Sequence, residues 1–185
     1  ALGIRQVHFV GLSMGGMTAQ QIGARYADRV YSLSLCDTAS EMTPRSMWEE
    51  RLLTVQTKGV AGLIDLMIQR WFTPPFIARD PDTIEKVRRM IAATPVEGYI
   101  ACATAVRDMA QTTMLLGIQA PTLILTGRED PACTVAQATV LHRMIDDSQM
   151  IVLEDAAHLS NIEQPQAFND ALRAFIDRVD DALPK

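Results

Sequence analysis

A serine between glycines, Gly11-Leu12-Ser13-Met14-Gly15, stands close to the start of this chain. The apolar run Val7-His8-Phe9-Val10 precedes it, and a helix-compatible stretch from Gly16 to Tyr26 follows. A strand, a sharp turn with a hydroxyl at its tip and a helix make a nucleophile elbow, which points to acyl transfer through an activated serine. The turn is tight, so its neighbours must be small. Gly11 and Gly15 are read as letting strand and helix approach each other, with Gly16 and Ala19 extending the thin face. A helix that begins at the serine directs a partial positive charge of about +0.5 and unbonded N–H groups toward it. The Met14 N–H is therefore the expected donor to a developing oxyanion. The same five-residue pattern also arises in glycine- and serine-rich loops with an idle serine; the flanking strand and helix argue against that here.

A serine hydroxyl needs a base, and the base needs an orienting acid. In an open parallel sheet both must come from loops at the carboxyl ends of strands. The run Pro121–Thr126 leads into Gly127-Arg128-Glu129-Asp130-Pro131, and Gln149–Leu153 leads into Glu154-Asp155-Ala156-Ala157-His158. Asp130 and His158 thus each follow a strand, and the chain order is serine, aspartate, histidine. Asp-Pro is also an ordinary turn starter. Asp37, at the end of the strand-like run Tyr31–Cys36, is the runner-up acid because its position is geometrically similar. His8 lies inside the elbow strand and reads as a satisfied core histidine; His142 lies on a helix, Val135–Ile145, and reads as a surface or boundary residue.

The elements that would position these groups alternate along the chain. Four strand-like runs appear, at Val7–Val10, Tyr31–Cys36, Thr122–Thr126 and Gln149–Leu153. The second alternates between Tyr31, Leu33, Leu35 and Ser32, Ser34, Cys36, whereas the third and fourth are nearly continuous in apolar residues, as strands buried on both faces should be. Near the end, Phe168, Ala171, Leu172, Phe175, Ile176 and Val179 form the core-facing stripe of an amphipathic helix. Between Cys36 and Pro121 no strand-like run occurs. Thr43-Pro44, Asp80-Pro81 and Thr94-Pro95 each place a capping side chain before a first-turn proline, and Thr94 with Glu97 fits a capping box. The expected fold class is α/β, a mostly parallel sheet flanked by helices. The core comprises residues 1–37 and 117–185, and residues 38–116 form a helical cap.

Composition narrows the class. The chain has 185 residues, 48% hydrophobic and 21% charged, with a formal net charge of −5, which suits one globular domain with a real core. The mild acidity and the lack of a basic cluster give no reason to expect nucleic acid. No apolar stretch is long enough to span a bilayer, and no secretory leader pattern is visible. Cys36, Cys102 and Cys133 are an odd, scattered set that reads as free thiols in a reducing, cytoplasmic setting, all three buried as small hydrophobes. The ten methionines read chiefly as core filling.

With these residues assembled, the chain resembles the 3-oxoadipate enol-lactonases of the α/β-hydrolase fold. The resemblance rests on Gly11-Leu12-Ser13-Met14-Gly15-Gly16-Met17, on Arg70-Trp71-Phe72-Thr73-Pro74, and on Ala93-Thr94-Pro95 through Glu97-Gly98-Tyr99. It continues through Val106-Arg107-Asp108-Met109, Ala120-Pro121-Thr122-Leu123, Asp130-Pro131, and Ala156-Ala157-His158-Leu159-Ser160-Asn161 to Glu163-Gln164-Pro165. The elbow and histidine segments are shared with many esterases; the cap segments point more narrowly to lactonases. The resemblance implies hydrolysis of 3-oxoadipate enol-lactone to 3-oxoadipate in bacterial breakdown of aromatic acids. The small-molecule lactone or ester would be the partner, with no metal or organic cofactor. Carboxylesterases and cofactor-free haloperoxidases of the same fold are the related alternatives, and a catalytically impaired fragment acting only in binding is the alternative from another class.

The substrate's free carboxylate calls for a cation or several donors. Arg45, Arg70 and Arg107 are the cap candidates, and Trp48 and Trp71 could wall the pocket; solvation of the arginines and ordinary packing of the tryptophans are the competing explanations. The family's chains carry further strands ahead of the elbow and a loop that supplies a second oxyanion donor. This sequence starts at Ala1-Leu2-Gly3-Ile4, so it is expected to be the C-terminal portion of such a chain. The apolar edge of Val7–Val10 is then expected to pair with the missing portion or to self-associate. Loss of one oxyanion donor typically costs about 100- to 1,000-fold in rate, so these residues alone are expected to hydrolyse esters slowly or not at all.

Overall fold

The computed structural model describes residues 3–183. Chain contacts divide it into two compact units, Glu41–Ala110 and the sequence on either side of it. In the flanking unit, β1 (Val7–Leu12) leads through Ser13 into α1 (Met14–Arg25), followed by β2 (Val30–Cys36). The helical unit holds α2 (Arg45–Lys58), α3 (Ile64–Trp71), α4 (Pro74–Arg79), α5 (Pro81–Ala92) and α6 (Val96–Asp108). The chain then returns through β3 (Thr122–Gly127), α7 (Val135–Met144), β4 (Ser148–Leu153), α8 (Ser160–Glu163) and α9 (Pro165–Ala182).

The four strands form one sheet in the order β1-β2-β3-β4, every pairing parallel. One row of residues, Leu12, Cys36, Leu125 and Ile151, crosses the sheet near its carboxyl edge, and β3 and β4 run two residues past it to the paired Gly127 and Leu153. The residues that follow these ends therefore emerge on the same side, as parallel pairing with short crossovers requires.

Both faces of the sheet are covered within this unit. Leu33, Leu35 and Ile124 point into one layer with Ala19 of α1 and Leu141 of α7. Cys36, Leu123, Leu125 and Leu153 point into the other with Phe168, Phe175 and Val179 of α9. Ala171, Leu172 and Ile176 pack beside them partly buried, so the stripe on α9 meets the sheet along its length. β3 is buried on both faces, but Gln149 to Val152 of β4 are only half-buried. β4 is an edge strand, and a continuous apolar run does not reveal whether a strand has neighbours on both sides. β1 is the other edge; Val7 and Val10 are 37% and 43% exposed.

The helical unit is narrower than the span 38–116. Leu115 is fully buried among Leu33, Ile124 and Leu141, so the segment after Gln111 belongs to the sheet. Within Glu41–Ala110, Phe72 and Phe76 stack at 5.2 Å, and an antiparallel bridge pairs Glu41 with Ala110. Asp80 caps α5 by accepting from Thr83 N–H at 3.0 Å. Thr94 does not cap α6: its hydroxyl donates back to Met90 C=O at 3.2 Å, and Pro95 occupies the cap position. Pro44, not Thr43, occupies that position at α2. The capping box forms instead at α7, where Thr134 and Gln137 bond reciprocally, and Thr73 caps α4. Cys102 is exposed on α6, whereas Cys36 and Cys133 are buried; all three are free thiols.

The glycines around the elbow are not equivalent. A Cβ on Gly11 would lie 2.2 Å from the Gly15 carbonyl oxygen, and one on Gly16 would lie 2.6 Å from the Thr38 side chain. A Cβ on Gly15 would meet nothing within 4 Å. Strand and helix approach through Gly11 and Gly16, and Gly15 contributes its backbone, not its small size. Gly11→Ala should therefore lower stability by about 1–3 kcal/mol, whereas Gly15→Ala should be neutral or stabilise by up to about 1 kcal/mol through helix propensity. Thermal unfolding of the two variants checks this, and equal losses at both positions would contradict it.

Candidate active site

Ser13 stands between β1 and α1 with φ 52° and ψ −116°, a backbone conformation that side-chain-bearing residues rarely adopt. Such a residue costs on the order of 1–3 kcal/mol and persists only where its surroundings enforce it. Here Ser13 N–H donates to Cys36 C=O at 2.9 Å, and Thr38 Oγ1 donates to Ser13 C=O at 2.7 Å. The turn lifts the hydroxyl out of the strand. Met14 opens α1, so its N–H has no intrahelical carbonyl to bond.

Three residues distant in sequence meet at this edge. His158 Nε2 lies 2.9 Å from Ser13 Oγ, and His158 Nδ1 lies 2.8 Å from Asp130 Oδ2. The carboxylate can only accept, so Nδ1 carries the proton and Nε2 is left to accept from the serine. Asp130 is held on its other oxygen, where Oδ1 accepts Ala132 N–H at 2.7 Å and Cys133 N–H at 3.0 Å. Both side chains are sealed from water, Asp130 at 0% and His158 at 6% exposure.

The two loops are stitched together. Arg128 N–H donates to Leu153 C=O at 2.8 Å, and Glu129 N–H donates to Ala156 C=O at 2.9 Å. A Cβ on Gly127 would stand 2.3 Å from Ala157 oxygen, so the loops could not close on any larger residue. Buried Glu163 accepts Ala157 N–H at 2.5 Å, fixing the residue ahead of the histidine.

Asp37 does not take the acid's place. It too follows a strand end, but its Oδ1 accepts Gly127 N–H at 2.8 Å and its Oδ2 accepts the Ser160 hydroxyl at 2.5 Å. Burial pushes its carboxyl up to about 7, against the lowering effect of the Ser160 and Gly127 bonds; Asp130 adds to the rise and His158 opposes it. The nearby Cys36 thiol is likewise pushed up by burial and by Asp37. Asp130, Cys133 and His158 offer a carboxylate, a thiol and an imidazole within 4.8 Å of one another, the donor types of a transition-metal site. Two of the three are already bonded to each other as described.

The other histidines are satisfied elsewhere. His8 is half-buried, bonded to Ser32 Oγ at 2.8 Å and to Asp180 at 3.0 Å. His142 bonds Ser148 Oγ at 2.9 Å on the surface.

The residues expected to receive a substrate carboxylate all lie in the helical unit. Arg107 is bound by both carboxylate oxygens of Asp108, at 2.9 and 2.7 Å, and Arg45 reaches the same carboxylate at 2.7 Å. These two guanidiniums are engaged by a neighbouring acid that the sequence reading left out. Trp48 is buried on α2, and Trp71 and Arg70 are half-buried at the end of α3. Arg51, one turn beyond Trp48, was not singled out from sequence. Its guanidinium lies 4.9 Å from the centre of the Trp48 ring and hydrogen bonds with Tyr99. Burial lowers its pKa, with Arg70 adding to the effect and Tyr99 opposing it. Trp48 Nε1 and Arg51 Nε are buried donors with no hydrogen-bond partner among the described residues. The signal was the spacing, since Trp48 and Arg51 share one helix face.

A profile of the alpha/beta hydrolase family matches residues 1–171. The chain is 36% identical over 177 residues to 3-oxoadipate enol-lactonase 2 of Acinetobacter baylyi, covering 96% of this chain and 66% of that protein. It superposes on the crystal structure of the enol-lactonase from Burkholderia xenovorans with a TM-score of 0.92 and 34% identity, over 95% of this chain and 67% of that one. A thermophilic esterase from Thermogutta terrifontis superposes with a TM-score of 0.87 and 32% identity, over 95% of this chain and 66% of that one. The chain thus spans about two thirds of the length of these relatives.

The Asp37 carboxyl gives a pH test of this arrangement. Its folded value lies above the 3.8 of a free aspartate, so the fold favours the neutral form. That stabilisation is complete below about pH 4 and is lost as pH rises through about 7. Asp37→Asn removes the dependence. Its stability relative to the unaltered chain should rise between about pH 4 and pH 8, read from urea midpoints; a constant difference would refute the assignment.

Proposed function

The chain belongs to the alpha/beta hydrolase family, and from that premise we propose that it is a carboxylic-ester hydrolase acting on an enol-lactone of the 3-oxoadipate type. The observation that carries the reading is the bonded relay Ser13–His158–Asp130, closed at 2.9 and 2.8 Å across 145 residues of chain.

In this reading His158 Nε2 takes the Ser13 proton as Oγ attacks the lactone carbonyl, and Asp130 holds the imidazolium by its Nδ1–H. The carbonyl oxygen, now anionic, is met by the Met14 N–H. Ring opening expels an enol oxygen, which takes the proton from His158 and collapses to a ketone. Water then gives its proton to His158 and attacks the acyl-serine, releasing the acid and restoring the hydroxyl. No step calls for a metal or an organic cofactor.

The lactone also carries a free carboxylate. Trp48 Nε1–H and the Arg51 guanidinium are the helical unit's donors best suited to it, since each holds a buried N–H with no hydrogen-bond partner among the described residues. Arg70 adds positive charge beside Arg51. The likeness to enol-lactonases supports this substrate over simple esters, and with it a proposed role in the breakdown of aromatic acids. Three free thiols suit a cytoplasmic setting, and among the described residues no helix is long and apolar enough to cross a membrane. The exposed edge of β1 at Val7 and Val10 is where we propose that a further strand pairs, of this protein or of a second copy. The similarity to the Thermogutta esterase favours one other substrate class, the simple carboxylic esters.

Two experiments decide the matter. A fluorophosphonate probe should label Ser13 in the unaltered chain and leave Ser13→Ala unlabelled; a folded chain that resists the probe would leave only a binding role. In the full-length protein, the enol-lactone should turn over faster than aryl esters of similar size, and faster aryl-ester turnover would favour the esterase reading. Arg51→Ala should raise KM about 10- to 100-fold for the acidic lactone, the loss expected of a hydrogen bond to a charged group, while changing KM for an uncharged ester by less than about threefold. Equal changes for both would remove Arg51 from the carboxylate site.

A further inference from the structure

The mechanism leaves two buried carboxylates without a step, Asp37 and Glu163, and of these Asp37 bonds to two separate loops. Asp37 follows the last residue of β2, with φ 43° and no exposed surface. Its two oxygens face two different loops: Oδ1 accepts Gly127 N–H, and Oδ2 accepts the Ser160 hydroxyl. Gly127 lies three residues before Asp130, and Ser160 lies two residues after His158. The residues on either side reach the nucleophile, since Cys36 C=O accepts Ser13 N–H and Thr38 Oγ1 donates to Ser13 C=O. One tripeptide at the exit of β2 therefore bonds to the elbow, to the acid loop and to the histidine loop.

We propose that Asp37 is a positioning residue that holds the Asp130 loop and the His158 loop in register with Ser13, acting through Gly127 and Ser160. This rests on the hydrolytic reading of Ser13, His158 and Asp130. The chemistry explains the residue type. Two donors from separate loops converge on one point, and a short side chain with two acceptors can bond both at once. The left-handed backbone at φ 43° is one that aspartate and asparagine tolerate better than most residues. A glycine would relieve the backbone and lose both bonds; an alanine would keep the strain and leave the Gly127 N–H and the Ser160 hydroxyl without their acceptor. Productive serine–imidazole geometry is strict, and a misplacement of about 1 Å can cost on the order of 100-fold in rate.

The test uses the full chain and two readouts, the rate of fluorophosphonate labelling at Ser13 and the low-field proton resonance of the His158 Nδ1–H···Asp130 bond. Asp37→Asn keeps an acceptor for Gly127 and can donate to Ser160 Oγ. It should label within about threefold of the unaltered chain and keep the resonance. Asp37→Ala should label about 100-fold more slowly and shift or broaden the resonance. A folded Asp37→Ala that labels at the original rate with an unmoved resonance overturns the proposal. If that variant does not fold, Ser160→Ala, which removes only one donor, should slow labelling about tenfold, and an unchanged rate overturns the proposal equally. If the unaltered chain is not labelled at all, the hydrolytic reading fails by itself. The resonance then still decides the positioning role, which is lost if neither Asp37→Ala nor Ser160→Ala moves it.

Discussion

Ser13 can meet His158 only because four parallel strands point the same way and end within two residues of one another. Leu12, Cys36 and Leu125 form one row, and Gly127 with Leu153 continues the same edge. In a parallel sheet every connection must cross back over a face, so successive strand exits face the same way. A register slip of one residue in β3 or β4 would turn every side chain of that strand to the opposite face. It would also draw the following loop about 3.3 Å along the strand axis, more than the length of either hydrogen bond in the relay. The sheet's two apolar layers fix the register, so the packing of Leu33, Ile124, Leu123 and Leu125 is also what aligns Ser13, His158 and Asp130.

Three carboxylates lie buried behind that edge: Asp130, Asp37 and Glu163. Burying a charge in apolar surroundings costs several kcal/mol unless hydrogen bonds replace the lost water. Each carboxylate accepts from at least one backbone N–H, supplied by Ala132 and Cys133, by Gly127, and by Ala157. Only Asp130 gives an oxygen to the imidazole. The other two hold loop backbone. The difference in role follows from what each oxygen bonds, since all three are short acidic side chains in one small region.

Much of this was legible before any coordinates. The elbow announces itself because a strand, two small residues and a helix must coincide there, and the apolar stripe on α9 is long enough to have one interpretation. Places where local pattern competes with tertiary context were misread. Thr94 looked like a cap, but the chain puts Pro95 there and turns the threonine back onto Met90. Gly15 looked like a packing glycine, yet only Gly11 and Gly16 face another element closely. Cys102 was placed inside, but it lies on an exposed helix face. The apolar run of β4 could not reveal an edge strand, because apolarity records the tendency to be buried and not the number of neighbours.

The site divides along the same line. The residue types, their order and their placement after strands are one-dimensional facts, and they were enough to single out Ser13, Asp130 and His158, which the folded chain brings together. They put Asp130 ahead of Asp37 but supplied no geometric ground for rejecting the second. Both follow a buried strand, and both are followed by a turn. The distinction came from where the donors lie in space: Asp130 takes Ala132 and Cys133 N–H on one oxygen and turns the other to His158, whereas each oxygen of Asp37 meets a loop donor, Gly127 N–H or the Ser160 hydroxyl. Nor could the sequence show that Asp108 engages Arg45 and Arg107 while Trp48 and Arg51 keep donors without partners. Hydrogen-bond partners are assigned by distance and angle between atoms that chain order leaves far apart, and only the folded chain sets those.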